Sequence, residues 1–287
     1  MHAVETRTTI TRELVRTTPG IPATDGAGVE MTRIIGTPDL NMLDPFLLLD
    51  SFESDQPQDY IGGFPDHPHR GFETVTYLLE GRMRHKDSAG NEGVIEANGV
   101  QWMTAGKGIV HSEMPEQEDG LLMGFQLWVN LPKVDKMTEP AYQGFPVAEI
   151  PVEQRNNGTL VRVITGRTDE GAVGPVVNNF VKPTYLDITL SAGELFEQSL
   201  DSSDNAFIFV IEGNVNVGEQ VRSLGKRRLG ILSGGERVAV TAGNSDSRFL
   251  LVAGQPLNEP VARGGPFVMN TQQEVLQAFE DFRNNRF

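Results

Sequence analysis

The chain has 287 residues, 38% hydrophobic and 22% charged, which is ordinary globular composition and long enough to bury one large core or two. A formal net charge of −15 excludes the basic footprint that nucleic-acid binding demands, and the absence of cysteine excludes disulfides, thiolate metal sites and cysteine nucleophiles. The stretch MHAVETRTTITRELVRTTPG lacks an apolar leader core, and no run reaches the ~18 apolar residues of a membrane helix, so the expectation is a cytoplasmic protein without membrane contact.

From the N-terminus onward the elements read as short strands between turn-formers. His2 falls in a segment expected to be loose. Thr74–Leu79 is β-prone and stops at Glu80-Gly81, and Arg82–Lys86 follows, with His85 beside Lys86 read as a surface position. After the turn Asp87-Ser88-Ala89-Gly90-Asn91 come Val94-Ile95, Val100–Met103, Ile109–Glu113 and Leu121–Leu131. Strands of this length and spacing predict a β-sandwich or barrel. Lys133–Pro151, with Pro140, Pro146 and Pro151, reads as a linker between two domains. Asn157-Gly158-Thr159 matches a glycosylation sequon but reads as a turn.

The same grammar returns further on. Phe207–Ile211, Glu212-Gly213 and Asn214–Val217 repeat the pattern around Glu80-Gly81, and Ile231-Leu232-Ser233-Gly234 echoes Met103-Thr104-Ala105-Gly106. An internal repeat of domain size follows, giving two similar barrels. Lys226-Arg227-Arg228 lies between Gly225 and Gly230 and reads as a solvated hairpin. The acids Asp201, Asp204, Glu236 and Asp246 read as solvated loop residues. One helix is expected near the end: Asn270-Thr271 can cap it with Glu274 completing a capping box, and Val275, Leu276, Phe279 and Phe282 form its apolar face.

The histidines carry the chemistry. Residues two apart on a strand share a face, so His67 and His69 project together, as do His111 and Glu113. If both segments line one barrel, three imidazoles and a carboxylate converge. That donor set suits divalent Fe, Mn, Co, Ni or Cu, with Zn also possible, and leaves positions open on a six-coordinate ion. Alone, either pair is a weak signal. Phe52, Phe64, Phe72, Trp102 and Phe125 read as core, with one or two available to wall an apolar pocket beside the ion.

FPDHPHRGFETVTYLLEG (Phe64–Gly81) and QWMTAGKGIVHSEMP (Gln101–Pro115) resemble the pirin family, and the likeness extends to LDPFLLLDSFE (Leu43–Glu53) and GGPFVMNTQQEV (Gly264–Val275). The resemblance implies an all-β fold of two tandem cupin domains with a short C-terminal helix. A metal-binding domain would span residues 1–138 and a degenerate one 139–287. It implies one metal, usually iron as Fe(2+), held by His67, His69, His111 and Glu113. It implies flavonol 2,3-dioxygenase (quercetinase) activity with O2, Glu113 taking the substrate's proton. It equally implies a regulatory alternative, a metal-containing protein that binds a transcription factor or a metabolic enzyme. Two positions depart from the wider cupin pattern: Gly106 stands where proline is usual, and a glutamate following the histidine pair is Glu73. Glu113 is preferred as the fourth ligand because it shares a strand face with His111, leaving Glu73 beside the site or in the core. In the second repeat, matching the turns places Ser199, Asp201, Ala239 and Thr241 where the four ligands stand, so no metal is expected there.

Overall fold

The computed structural model describes residues 9–287, and His2 lies outside them. The strands in chain order are β1 (Leu14–Thr18), β2 (Ile21–Asp25), β3 (Val29–Ile35), β4 (Phe46–Ser54), β5 (Phe64–His69), β6 (Phe72–Glu80), β7 (Arg82–Asp87), β8 (Glu92–Glu96), β9 (Val100–Thr104), β10 (Ile109–Pro115), β11 (Leu122–Asn130) and β12 (Ala141–Phe145). They continue as β13 (Val152–Gln154), β14 (Leu160–Thr165), β15 (Thr184–Leu190), β16 (Leu195–Ser199), β17 (Asn205–Glu212), β18 (Asn214–Val217), β19 (Arg222–Gly225), β20 (Leu229–Leu232), β21 (Arg237–Ala242), β22 (Ser247–Gly254), β23 (Ala262–Gly264) and β24 (Phe267–Met269), followed by helix α1 (Gln272–Arg283).

Two compact units form, each a sandwich of one seven-stranded and one four-stranded sheet. The histidine-bearing unit pairs the sheet β12-β9-β6-β11-β4-β3-β2 with β5-β10-β7-β8, and the second unit pairs β1-β20-β17-β22-β15-β14-β13 with β16-β21-β18-β19. The expected repeat is therefore real at the level of topology. Both Glu-Gly corners turn the chain in the same way, Gly81 at φ +90° between β6 and β7 and Gly213 at φ +74° between β17 and β18, a conformation glycine adopts without a Cβ penalty.

Both units are discontinuous in sequence, and a division after residue 138 does not separate them. The histidine-bearing unit takes Gly20–Ile150, Pro175–Lys182 and Pro256–Phe287, and the second takes Pro151–Gly174, Pro183–Gln255 and the described residues of Met1–Pro19. Pairing explains the exchange: β1 lies antiparallel to β20, and β12, inside the stretch read as a linker, completes a sheet beside β9. The returning tail is anchored from within its own unit. The Lys136 ammonium, buried and with its pKa pushed down to about 8 by desolvation, donates to the carbonyls of Gly71 and Val268 and to Asn130 Oδ1.

The helix begins where its cap predicts. Thr271 is the N-cap, accepting from the Glu274 N–H, while the Glu274 carboxylate accepts from the Thr271 N–H. Its buried stripe is Val275, Ala278 and part of Phe279, at i, i+3 and i+4. Leu276 lies about 100° round the helix from Val275 and is 66% exposed, so it does not belong to the face assigned to it. Among the described residues no helix is long and apolar enough to cross a membrane. Lys226 pairs with Glu212 at the surface, and Asn157-Gly158 forms a turn closed by the Thr159 N–H, as the sequence suggests.

The second unit is built around one large apolar cluster. Phe196, Val215, Val217, Val238, Val240 and Phe249 lie among twenty buried residues of one cluster, each large side chain contributing on the order of 1.5–3 kcal/mol by its burial. In the histidine-bearing unit one apolar cluster gathers Val29, Met31, Phe52, Leu78, Met83, Ile95 and Leu122, smaller clusters form around Phe72 and around Met103, and buried polar side chains, His69, His85, His111 and Glu113 among them, lie between.

Candidate metal centre

Strand β5 is an edge strand bonded only to β10, which is where a segment carrying Pro65 and Pro68 can sit, since proline offers no N–H to a second neighbour. Its register sets His67 opposite His111 and His69 opposite Ile109. On its other side β10 pairs with β7, placing His111 opposite Asp87 and Glu113 opposite His85. The strand-parity expectation holds for the three imidazoles. Ring centroids stand 4.7 Å apart for His67 and His69, 4.4 Å for His67 and His111, and 5.0 Å for His69 and His111. One nitrogen from each lies within 4.8 Å of the others, a group that could hold a metal ion.

The nitrogens are sorted by their partners. His67 Nδ1 lies 2.8 Å from the Pro65 carbonyl and His69 Nδ1 lies 3.4 Å from the Pro266 carbonyl; a carbonyl only accepts, so each Nδ1 carries the hydrogen. Their Nε2 atoms then carry lone pairs, and these face one another at 3.0 Å. Two lone pairs at that separation repel unless a cation lies against both. Two nitrogens each about 2.1 Å from an ion and at right angles to each other would stand about 3.0 Å apart. His111 Nε2 is buried without a hydrogen-bond partner. Burial drives the His69 pKa down to about 3, with His67 adding to the fall, and holds His111 well below the usual imidazole range, so both are neutral as a ligand must be. The residues fit a divalent metal.

Glu113 lies on the inward face of β10 but is not among the three clustered donors. Its Oε1 stands 2.6 Å from Thr76 Oγ1, and its Oε2 accepts from Gln126 Nε2 at 2.8 Å. Thr76 Oγ1 also stands 2.8 Å from Gln126 Oε1, so one hydroxyl hydrogen serves two acceptors. Glu73 is engaged elsewhere: Thr104 Oγ1 donates to its Oε1 and Asn178 Nδ2 to its Oε2, and burial pushes its pKa up to about 7. Gly106 adopts φ +51°, which proline cannot reach, and this accounts for its departure from the wider pattern.

The site opens into a cavity of about 660 Å³, in the range of small-molecule pockets. Leu48, Phe52, Phe64 and Trp128 form apolar walls, and His67, His69, Glu113 and Gln126 form a polar floor. Phe52 and Phe64 thus face the cavity, whereas Phe72, Trp102 and Phe125 are core. Trp128, which meets His69 edge to face at 5.2 Å, gave no signal in the sequence. At the outer wall Arg33 bridges Asp50 at 2.8 Å and Asp25 at 3.0 Å.

Two sequence readings need correction. His85 is not at the surface: it is 1% exposed, because β7 alternates with Met83, His85 and Asp87 inward and Arg84 and Lys86 outward. Its Nε2 lies 3.1 Å from Asp87 Oδ2, its Nδ1 lies 3.5 Å from His111 Nδ1, and its ring stacks on Tyr142 at 4.9 Å. In the second unit, Ala239 and Thr241 are not the inward positions of β21, which are Val238, Val240 and Ala242. Val238 faces Gln198 as His111 faces His67, and Val240 faces Val217 as Glu113 faces His85. The turn-based matching slipped by one residue on β21 and on β16, where Gln198 rather than Ser199 stands for His67, and on a strand such a slip exchanges the two faces.

The family model described as Pirin matches residues 28–129, and the one described as the Pirin C-terminal cupin domain matches residues 185–287. A pirin-like protein of Caulobacter vibrioides is 53% identical over 277 residues, covering 96% of this chain and 99% of that protein. Pirin of Rattus norvegicus is 45% identical over 268 residues, covering 91% and 88%. A solved quercetin 2,3-dioxygenase from Acinetobacter baumannii superposes with a TM-score of 0.88 at 34% identity, covering 97% of this chain and 99% of that one.

Proposed function

Because the chain belongs to the pirin family, a family of cupin domains, we propose that its histidine-floored cavity is a metal-dependent dioxygenase centre that opens the heterocycle of flavonols such as quercetin with O2. The observation that carries this reading is the cluster of His67, His69 and His111 nitrogens, with His67 and His69 lining a cavity beside Leu48, Phe52, Phe64 and Trp128 and with the Glu113 carboxylate next to them. His67, His69 and His111 would hold the ion, with Glu113 as the fourth ligand and Fe(2+) as its preferred identity. When bound, a divalent metal there supplies a Lewis acid for the flavonol's 3-hydroxyl and an electron partner for O2.

The chain's own residues supply the rest. Leu48, Phe52, Phe64 and Trp128 offer flat apolar surface for fused rings and displace water from the floor. Gln126, donating to Glu113 Oε2, and Thr76, beside Oε1, hold the carboxylate plane fixed from two different strands. Glu113 so oriented takes the proton from the 3-hydroxyl, raising electron density on the ring that O2 attacks. Ring opening then releases carbon monoxide. Iron-loaded protein incubated with quercetin should lose the flavonol absorbance only when O2 is admitted. No loss with the metal verified as bound removes this reading.

A second reading is favoured by the second unit, where Val238 and Val240 stand at the positions of His111 and Glu113 and no metal-ligand set faces inward among the described residues. In this reading the protein binds a transcription factor or a metabolic enzyme, and the metal's oxidation state alters the docking surface. Pull-downs from cell extract with ferrous and ferric protein should differ; identical, empty profiles exclude it.

A further inference from the structure

Each metal-facing imidazole has a second nitrogen whose hydrogen needs an acceptor. His67 and His69 use backbone carbonyls, which can only accept. His111 has no carbonyl at its Nδ1; the atom there is Nδ1 of His85, at 3.5 Å. An imidazole nitrogen can accept only if it lacks a hydrogen, and the far side of the His85 ring decides that. His85 Nε2 lies 3.1 Å from Asp87 Oδ2, and a carboxylate oxygen accepts. Asp87 is itself fixed, its Oδ1 accepting from the N–H groups of Ala89 and Asn91 and both its oxygens from Asn91 Nδ2. Burial raises the Asp87 pKa, but the hydrogen bonds from His85 and Asn91 outweigh it and hold the group as a carboxylate.

We propose that Asp87 and His85 form a two-step relay that sets the tautomer of His111, so that the lone pair of His111 Nε2 faces His67 and His69. Asp87 accepts a hydrogen bond from His85 Nε2–H, so the neutral His85 ring bears no hydrogen on Nδ1. That nitrogen accepts from His111 Nδ1–H, so His111 Nε2, buried and unpartnered, bears none. Tyr142 locks the middle ring by stacking on it at 29° between planes. Space for Tyr142 comes from two missing side chains, since a Cβ would lie 3.0 Å from its hydroxyl at Gly93 and 2.7 Å at Gly144. Gly93 is the cross-strand partner of His85, so the same pairing that seats the ring clears room for its lid. His85 and Asp87 are positioning residues, and their task rests on the three-histidine metal reading above.

Asp87→Asn tests the relay, because it preserves shape and inverts polarity. The new amide oxygen can keep the turn bonds from Ala89 and Asn91 while its NH2 faces His85 Nε2. His85 must then carry its hydrogen on Nδ1, His111 must accept at Nδ1, and the His111 hydrogen moves to Nε2, against the ion. Nitrogen-15 imidazole NMR of the metal-free full chain should show His111 as the Nδ1–H tautomer in the natural protein and Nε2–H in Asp87→Asn. Ni(2+) affinity by chelator competition should fall about 10–100-fold, the usual effect of losing such an outer partner. His85→Gln, whose Oε1 can accept from His111 Nδ1, should retain the natural tautomer and affinity, whereas His85→Phe should lose affinity at least tenfold. Unchanged His111 tautomer and Ni(2+) affinity in Asp87→Asn overturn the relay; if that variant does not fold, equal affinities for His85→Gln and His85→Phe do so. The predicted tautomers in a natural protein that fails to take up Ni(2+) would instead leave the relay standing and remove the metal reading.

Discussion

Glu73 is a carboxyl group in the wrong medium. Fully buried between Thr104 and Asn178, its folded pKa of about 7 stands above the ordinary glutamate value, so the fold prefers the neutral acid. Stability from that group is fully present below the unfolded pKa and is lost as pH rises through about 7. Denaturant titrations should therefore show the natural protein losing stability relative to Glu73→Gln between about pH 4.5 and 8, by on the order of 3 kcal/mol. His67→Ala and His111→Ala each remove one of the three clustered imidazoles. Both should abolish metal uptake by elemental analysis while leaving the β signal in circular dichroism, because alternating apolar side chains, not the ion, close the sandwich. Glu113→Gln should keep more metal than activity if the carboxylate's main task is accepting a proton; equal losses of both would argue for a purely ligating role. Spacing put His67 with His69 and His111 with Glu113, but only the two pairs together pointed to a metal, and the structure clusters the three imidazoles without Glu113. His85 obeys the same parity through Met83 and Asp87, but the charged Arg84 and Lys86 between them made the segment look solvated. Thr76, Gln126 and Trp128 left no local trace, since each enters the site through strand register with a segment tens of residues away.

Among the elements, the turn between β9 and β10 is tightly constrained. Gly106 holds φ +51°, and a Cβ there would meet the Thr138 carbonyl at 2.1 Å. Its own carbonyl accepts from the Gly71 N–H, so this turn ties the approach to His111 to the exit from His69. Gly106→Ala should cost at least about 2 kcal/mol in urea denaturation through strain and contact together, and should weaken metal binding as well. The strands themselves were readable from their alternation and their glycine stops, and the helix from its capping box. The linker was misread for a physical reason: proline marks breaks in pairing equally well within a domain, and β12 between Pro140 and Pro146 is an edge strand whose inward Tyr142 belongs to the site.

At the scale of the chain, the histidine-bearing unit needs residues that sequence order puts last. A fragment ending at residue 138 lacks β12, β23, β24 and α1, and strands Lys136 without the Val268 carbonyl. It should fail to give a cooperative melting transition, whereas the full chain should give one. Two barrels were foreseeable because the Glu-Gly corners repeat; the exchange of termini was not, since only long-range pairing such as β1 with β20 reveals it. The division of labour inside the histidine-bearing sandwich has a further consequence. The imidazoles and the acid come from β5 and β10, in the small sheet, while Arg33, Leu48, Phe52 and Trp128 come from β3, β4 and β11, in the large one. Most of the apolar lining is thus carried by the sheet opposite the imidazoles, Phe64 of β5 excepted. Substitutions at Leu48 or Phe52 can therefore change what the cavity admits while the three imidazoles keep their places.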